Sequence, residues 1–176
     1  GYRQAFEEHF CITVTDAHGC LVDVNERFCN VVGYTREELV GQHYELLSSA
    51  MRTRESVEAM WETVQSGRTW RGELCDRAKN GADVCFESIV IPRFGANGEI
   101  DQFITISTDI TAIRSQSQTL QAMIDNFPGG LALIDRELTL IASNKLYRTL
   151  LELPDELFAG GPPKLEKLVR FRAERG

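Results

Sequence analysis

The stretch DAHGCLVDVNERFCNVVGYTREELVG, residues 16–41, decides the fold of this chain. His18-Gly19 supplies a tight turn because glycine accepts a positive φ without steric cost, and the short β-branched run 21–24 is typical of a strand. Asn25 is suited to cap a following helix, since its side-chain oxygen accepts from the free N–H groups of the first helical turn. The stretch therefore predicts a β-hairpin that leads directly into helical structure.

Two short helices are predicted within the same stretch. Phe28, Val31 and Val32 fall on one face at helical spacing. Thr35 and Glu38 have the spacing of a capping box, in which the hydroxyl and the carboxylate satisfy free backbone N–H groups reciprocally. A hairpin followed directly by two short helices is therefore predicted.

The following segments complete an α+β pattern. Apolar residues at 3, 4 and 7 spacing predict a helix over 56–65, and alternating patterns predict strands over 69–77, 82–93 and 100–108. Asn80-Gly81, between the first two of these strands, is a strong hairpin signal. The sequence therefore predicts a five-stranded antiparallel sheet with helices inserted between the second and third strands.

These motifs resemble a PAS domain with its C-terminal PAC portion. The residues that carry the resemblance are ITVTD at 12–16, LVDVNERF at 21–28, VGYTREELVG at 32–41, WRGEL at 70–74 and TDIT at 108–111. The resemblance covers about residues 6–113. It implies a PAS fold with a ligand cleft between the sheet and the inserted helices.

A second copy of the opening motif begins after residue 127. Asp135, Asn144 and Tyr147 repeat without gaps the spacing of Asp16, Asn25 and Phe28. Such repetition is the signature of tandem domains. We therefore divide the chain into an N-terminal amphipathic helix (1–10), a PAS/PAC domain (11–110), a linker helix (111–127) and a partial second PAS-like domain (128–176).

The second domain lacks the three long strands that would close its sheet. An isolated hairpin is marginal in water. Residues 128–176 are therefore expected to lean on the first domain, to lean on a partner chain, or to stay mobile. The repeat predicts a hairpin and helix over 128–151 that match those over 11–32.

The linker helix carries an apolar seam at 3,4,3,4 spacing. Its positions are Ile113, Gln116, Leu120, Met123 and Phe127. The spacing is typical of a coiled coil of about two heptads. The alternative is a helix docked on its own domain, and in either case Leu120 and Met123 are expected to be buried.

Charge and motif content exclude several classes of function. The net charge of −7 argues against nucleic acid, which favours a basic protein surface. No apolar run approaches the roughly 20 residues of a membrane helix and no signal segment opens the chain, so we expect a cytoplasmic location without membrane insertion. The three histidines have no nucleophile in a recognisable elbow, and no glycine-rich phosphate loop is present. This region is therefore not expected to be an enzyme.

The five cysteines, at positions 11, 20, 29, 75 and 85, contain no CxxC pair. A zinc site is not expected, and small buried hydrophobes are the main interpretation, with a redox-active thiol as the alternative. A two-residue turn at Asn80-Gly81 pairs Cys75 with Phe86 and Asp76 with Cys85, which predicts no disulfide. A three-residue loop over 79–81 would instead set Cys75 opposite Cys85.

The segment around TWRGELCDRAK, at 69–79, resembles the PAS domains that hold FAD in sensors for nitrogen fixation, methane oxidation and aerotaxis. The resemblance implies that Trp70 flanks the flavin ring, that Asn25 and Phe28 close its other side, and that Asp76 faces its pyrimidine edge. Related flavin sensors often carry asparagine where Asp76 stands, and a buried carboxylate is costly. The alternative for Trp70 is simple sheet core.

Two other cofactors fit the sequence less well. Haem PAS domains of the oxygen-sensing kinase type need a histidine on the helix at 54–60, which has none. LOV photochemistry needs a reactive cysteine in an N-C-R-F-L-Q motif, which is also absent from the GYTREEL segment.

Two functions follow as hypotheses. The first is a redox or oxygen sensor whose flavin state shifts the sheet and the linker helix, and the second is a cofactor-free dimerisation and relay module. In both, a homodimer would form through the N-terminal helix, the sheet face and the linker helix. The resemblance further implies a bacterial parent protein, either a sensor histidine kinase or a GGDEF/EAL enzyme.

Overall fold

The computed structural model describes residues 2–174, with side chains from Phe6 onward. The chain divides into two compact units, one ending at Arg114 and one beginning at Ser115. The division lies inside the helix that the sequence assigns to the linker. Each unit contains the same hairpin-to-helix motif.

The first unit is the predicted α+β domain. In chain order it contains α1 (Tyr2–His9), β1 (Cys11–Asp16), β2 (Leu21–Val24), α2 (Glu26–Val32), α3 (Arg36–Leu39), α4 (Arg54–Gln65), β3 (Trp70–Arg77), β4 (Asp83–Phe94) and β5 (Ile100–Asp109). The strands form one antiparallel sheet in the order β2-β1-β5-β4-β3. Helices α2 to α4 lie between β2 and β3 in the chain, so the predicted PAS fold is confirmed.

The core of the first unit lies between these helices and one face of the sheet, the inner face. Near α2, Phe28 packs on Phe86 of β4 with ring centroids 5.9 Å apart. Near α4, Met60 and Val64 pack with residues of β3, β4 and β5. Two apolar clusters therefore hold the helices on the inner face of the sheet. Neither cluster includes residues of the opposite face, which we call the outer face.

The β3–β4 hairpin corrects the predicted register. Cys75 pairs with Cys85, and the two are joined by a disulfide. The loop at 79–81 has three residues, with Gly81 at a φ of +86°, the left-handed conformation that ends a three-residue hairpin loop. The N–H of Lys79 donates to the Val32 carbonyl of α2 at 2.8 Å, which fixes that residue outside the ladder. The two-residue turn and the absence of a disulfide were therefore wrong predictions.

The second unit repeats the opening of the first. It contains most of α5 (Thr111–Asp125), then β6 (Ala132–Ile134), β7 (Leu140–Ser143), α6 (Lys145–Leu150) and α7 (Leu165–Ala173). The pair Ala132 and Ser143 matches Thr13 and Val24 in register, and a bulge follows one residue later in both hairpins. The predicted hairpin and helix are confirmed.

This second unit has its own small core. Leu140 of β7, Leu153 and Leu168 of α7 are buried together. The N–H of Leu140 donates to the Pro163 carbonyl at 2.9 Å, and that of Leu165 donates to Leu138 at 2.7 Å. The segment before α7 therefore covers the β7 edge of the hairpin, as the segment around Gln42 covers the edge of β2 in the first unit.

Helix α5 presents its predicted seam to solvent. The apolar seam residues Ile113, Leu120, Met123 and Phe127 are between 49% and 68% exposed. Leu120 and Met123 are thus not buried in the single chain, and their burial against a second chain stays a prediction. No helix in the described part of the chain is both long enough and apolar enough to span a bilayer.

Candidate functional site

A buried polar cluster lies on the inner face of the sheet, at the end of β3. Asp76 is fully buried and forms an ion pair with Arg52, which is 9% exposed. Arg52 Nη2 also donates to Tyr44 Oη at 2.9 Å, and Tyr44 Oη lies 3.2 Å from both carboxylate oxygens of Asp76. The three side chains therefore satisfy one another without solvent.

Burial sets the protonation of this cluster. It raises the pKa of Asp76 to about 6, and the Arg52 guanidinium and the Tyr44 hydroxyl oppose that rise. Burial and the nearby Asp76 charge also raise the pKa of Tyr44 well above its ordinary value. At pH 7 Asp76 is therefore ionised, and Tyr44 is a neutral donor to it.

The cluster also reaches the backbone of β3 and the ring of Tyr44. Arg52 Nε donates to the Cys75 carbonyl at 2.7 Å. The Arg52 guanidinium lies over the Tyr44 ring, 4.7 Å from its centroid, which is the geometry of a cation–π contact. Arg52 thus ties the irregular segment before α4 to the third strand.

The cleft between α4 and the sheet is narrow and mostly apolar. Its lining residues are Thr15, Tyr44, Met60, Trp61, Val64, Leu74, Val90, Phe103 and Thr105, and the cavity volume is about 30 Å³. The Trp61 ring packs edge-on against Phe103 with centroids 5.4 Å apart. A volume of this size holds a single water molecule, whereas cofactor sites generally measure hundreds of Å³.

Trp70, predicted to flank a flavin, packs on its own strand. It is half-buried against the cluster around Met60 and Val64. A Cβ at Gly72 would lie 2.5 Å from Trp70 Cζ2, so the missing side chain of Gly72 makes room for the Trp70 indole. This position corresponds to the sheet-core alternative for Trp70.

Asn25 and Phe28 are engaged in local structure. Asn25 Oδ1 accepts from the N–H groups of Ile12 at 2.9 Å and Phe28 at 3.0 Å, and Asn25 Nδ2 donates to the Phe10 carbonyl at 2.7 Å. Asn25 therefore caps α2 and binds it to β1. The Phe28 side chain is 3% exposed in the core.

The four residues predicted to contact FAD lie outside the lining of this cleft. They are Asn25, Phe28, Trp70 and Asp76. Among the described residues, the buried side-chain atom without a hydrogen-bond partner is Thr13 Oγ1, and Thr13 does not line the cleft either. In this arrangement the residues present do not fit a flavin ring, and their role as flavin contacts stays a prediction.

The sequence did not point to Arg52 and Tyr44. Both lie in the irregular segment HYELLSSAMRTR, where no period indicates which side chains face inward. The available signal was chemical: a carboxylate at an inward position of a strand requires a cation, and Arg52 is one of the few candidates close to the cleft. Within residues 2–174 no group of three or more metal-binding side chains is placed to hold an ion.

Comparison with known proteins assigns both units. The family model of the PAS domain matches residues 8–112, and a model described as PAS fold matches residues 124–176. The chain is 26% identical over 145 residues to the nitrogen fixation regulatory protein of Klebsiella pneumoniae, covering 78% of this chain and 29% of that protein. It is 28% identical over 100 residues to the aerotaxis receptor of Escherichia coli, covering 57% and 20%.

Solved structures agree with this assignment. The crystal structure of the PAS domain of a protein from Colwellia psychrerythraea matches with a TM-score of 0.57 and 28% identity, covering 63% of this chain and 95% of that one. An RNA-binding light-oxygen-voltage receptor matches with a TM-score of 0.58 at 20% identity, which shows a shared fold alone. The chain spans less than a third of the length of the curated relatives named above.

Proposed function

Because the chain belongs to the PAS family, we propose that it is the dimerising sensory and relay segment of a longer bacterial signal-transduction protein. PAS sensor domains are non-catalytic. The output activity, a histidine kinase or a GGDEF/EAL cyclic-dinucleotide enzyme, would belong to the rest of the parent protein. We place the segment in the cytoplasm, as the sequence predicts.

The observation that supports this function most is the exposed seam of α5. Ile113, Leu120 and Met123 are large apolar side chains that the single chain leaves in solvent. Together with Gln116 and Phe127 they follow the 3,4,3,4 spacing that two helices bury against each other in a parallel coiled coil. A second copy of the same helix is therefore the partner that this seam fits.

The outer face of the sheet supplies a second apolar surface. Ile12 of β1, Ile89 of β4 and Ile106 of β5 are half-buried neighbours across three strands, and Val14, Ile91 and Ile104 repeat the pattern one pleat away. Phe10 lines a surface pocket with Ile89 and Ile106 of this face, and its ring packs on Phe6 with centroids 4.6 Å apart. The proposed homodimer uses this face, α1 and α5.

Sedimentation equilibrium of the chain tests this proposal. We expect a wild-type dimer and a monomer for the double variant Leu120→Glu and Met123→Glu, since like charges at the seam oppose association. The matched control, Ser115→Glu with Gln118→Glu, adds the same charge on the side of the helix opposite the seam and should stay dimeric. A monomeric wild type, or a seam variant that remains a dimer, would refute the proposal.

A flavin-based redox or oxygen sensor is the second candidate function. The similarity to the nitrogen fixation regulatory protein and the aerotaxis receptor supports it. The cleft of about 30 Å³ does not admit the ring as it stands, so binding would require α4 to move away from the sheet. In that case Trp70, Asp76, Asn25 and Phe28 are the residues predicted to surround FAD.

The visible absorption spectrum of the purified chain, before and after addition of FAD, tests this candidate. If FAD binds, Trp70→Ala should weaken its retention by a few kcal/mol, because an aromatic side chain buries on the order of 150 Å² or more. Asp76→Asn should hold or improve binding, since it removes a buried charge and adds a donor. Arg71→Gln, on the outer face, is the control. A chain that stays colourless after FAD is added would refute the flavin sensor and leave the cofactor-free relay as the function.

A further inference from the structure

The Cys75–Cys85 disulfide lies where the sheet meets the linker helix. It joins β3 to β4 directly across the ladder, on the outer face. Cys75 is 6% exposed and Cys85 is 3% exposed, although much of this face is open. Contacts from the start of α5 account for this local burial.

Two residues of the first turn of α5 contact the cysteine pair. Thr111 Oγ1 accepts from the N–H of Cys85 at 3.0 Å, and the N–H of Ile110 donates to the Cys85 carbonyl at 2.9 Å. Arg114 Nη1 lies 3.5 Å from Cys75 Sγ and forms a salt bridge with Glu73 at 2.7 Å. The first turn of α5 therefore contacts both cysteines of the disulfide.

The backbone of Cys75 also contacts the buried polar cluster of Arg52, Tyr44 and Asp76. The Cys75 carbonyl accepts from Arg52, and the next residue, Asp76, is the partner of that arginine. Cys75 therefore lies next to both the buried polar cluster and the linker helix. No other cysteine of the described chain combines these contacts.

The remaining three cysteines are free, and two of them are less suited to thiol chemistry. Burial raises the pKa of Cys11 to about 11 and also raises the pKa of Cys29. A raised thiol pKa lowers the fraction of thiolate, which is the reactive form. By contrast, a guanidinium beside Cys75 Sγ stabilises a negative charge on that sulfur once the disulfide opens.

We propose that Cys75 and Cys85 form a redox-active pair whose oxidation state is transmitted to the linker helix through Arg114 and Thr111. In the cytoplasm, where we place this chain, protein disulfides are usually transient and redox-sensing. The co-reactant is a thiol–disulfide couple of the dithiol or low-molecular-weight thiol class. The pair functions without a flavin, and only its output through α5 rests on the proposed relay function.

The exchange step balances as a two-electron reaction. A thiolate of the reductant attacks Cys85 Sγ, and the Cys75–Cys85 bond breaks with Cys75 leaving as a thiolate beside Arg114. A second thiol of the reductant then attacks the mixed disulfide and releases Cys85. Two protein thiols and one reductant disulfide result, with the protons supplied by the two reductant thiols.

Thiol mapping across a series of reduced and oxidised dithiothreitol mixtures tests the redox activity. After alkylation, trypsin places Cys75 in the peptide 72–77 and Cys85 in the peptide 80–93. We expect these two peptides to be linked at the oxidised end and separately alkylated at the reduced end, with one two-electron transition, while Cys20 and Cys29 stay thiols. Peptides that never link, or that stay linked at the most reducing ratio, would overturn the proposal.

Amide hydrogen exchange of residues 111–116 tests transmission to α5. We expect exchange to be roughly five- to tenfold faster in the reduced chain, the change that losing one net hydrogen bond produces. Arg114→Gln should keep the disulfide and abolish most of this difference. Arg77→Gln, which changes an arginine of β3 that pairs with Asp83, should retain the difference. Equal exchange in both redox states would overturn the transmission step.

The two proposals fail in different ways. A chain that sediments as a monomer while the pair titrates would refute the dimeric relay and leave the redox site. A dimer whose cysteines never link would refute the redox site and leave the relay.

Discussion

Arg52 and Asp76, 24 positions apart in sequence, form an ion pair that is almost completely removed from solvent. Arg52 lies in the irregular segment before α4, and Asp76 is the second-to-last residue of β3. The pair therefore fixes the inserted helices to the sheet at the point where the cleft narrows. Arg52 is thus the structural partner of the Asp76 carboxylate in this arrangement.

Removing the arginine should be more damaging than neutralising the aspartate. Arg52→Met leaves a carboxylate buried without its cation, and we expect a loss of roughly 3 to 5 kcal/mol in the free energy of unfolding at pH 7. Asp76→Asn keeps an oxygen that accepts from Tyr44 and Arg52, so we expect a smaller loss of about 1 to 3 kcal/mol. Urea unfolding followed by circular dichroism gives both values. A larger loss for Asp76→Asn would contradict the assigned geometry.

The same carboxylate predicts a pH dependence. Its pKa is about 6 in the folded chain against an ordinary value of 3.8, so the folded state binds more protons between these values. Stability from Asp76 is therefore present below about pH 4 and lost as pH rises through 6, by about 3 kcal/mol at about 1.4 kcal/mol per pKa unit.

This pH dependence is measured as the difference in unfolding free energy between wild type and Asp76→Asn at pH values from about 4 to 7. A shift of one pKa unit between the folded and unfolded states corresponds to about 1.4 kcal/mol of that difference. The subtraction removes the contribution of other carboxylates, such as Asp16 and Asp83, whose pKa values are lowered. We expect wild type to lose stability relative to the variant as pH rises. The opposite slope would show that Arg52 holds the pKa of Asp76 below its ordinary value.

Asn25 and Asn144 should have matching structural roles in the two units. Asn144 accepts from the N–H groups of Leu131 at 3.0 Å and Tyr147 at 2.8 Å and donates to the Gly129 carbonyl at 2.7 Å, as Asn25 does at its own site. Loss of such a cap typically costs about 1 to 2 kcal/mol. We therefore expect Asn25→Ala to raise amide exchange in α2 and Asn144→Ala to raise it in α6.

The matched variants Asn25→Asp and Asn144→Asp retain the acceptor oxygen and should preserve most of the protection. If Asn25→Ala left α2 as protected as wild type, the side chain would be free for another role, such as contact with a cofactor.

Local signals made much of the fold predictable. Capping and turn residues act within a few positions, so Asn25, Thr35 and Gly19 indicated where strands end and helices begin. The gapless repeat extended those assignments to Asn144 and Asp135. Thr35 indeed forms the predicted capping box with Glu38.

The remaining features depend on contacts that no local pattern encodes. The register at Cys75 followed from the Lys79 N–H binding Val32 in a distant helix, which selects the three-residue loop. The partner of Asp76 came from an irregular segment in which side-chain direction has no period. Both features arise from tertiary contacts, and both lie at the candidate site.

Cysteine cross-linking along α5 tests the central claim most directly, because a parallel dimer brings each seam residue opposite its own copy. We expect Leu120→Cys and Met123→Cys to form intermolecular disulfides under mild oxidation much faster than Gln118→Cys, which lies off the seam, and than wild type with its three free cysteines. Equal rates for seam and off-seam positions would contradict a dimer that relays its signal through this helix.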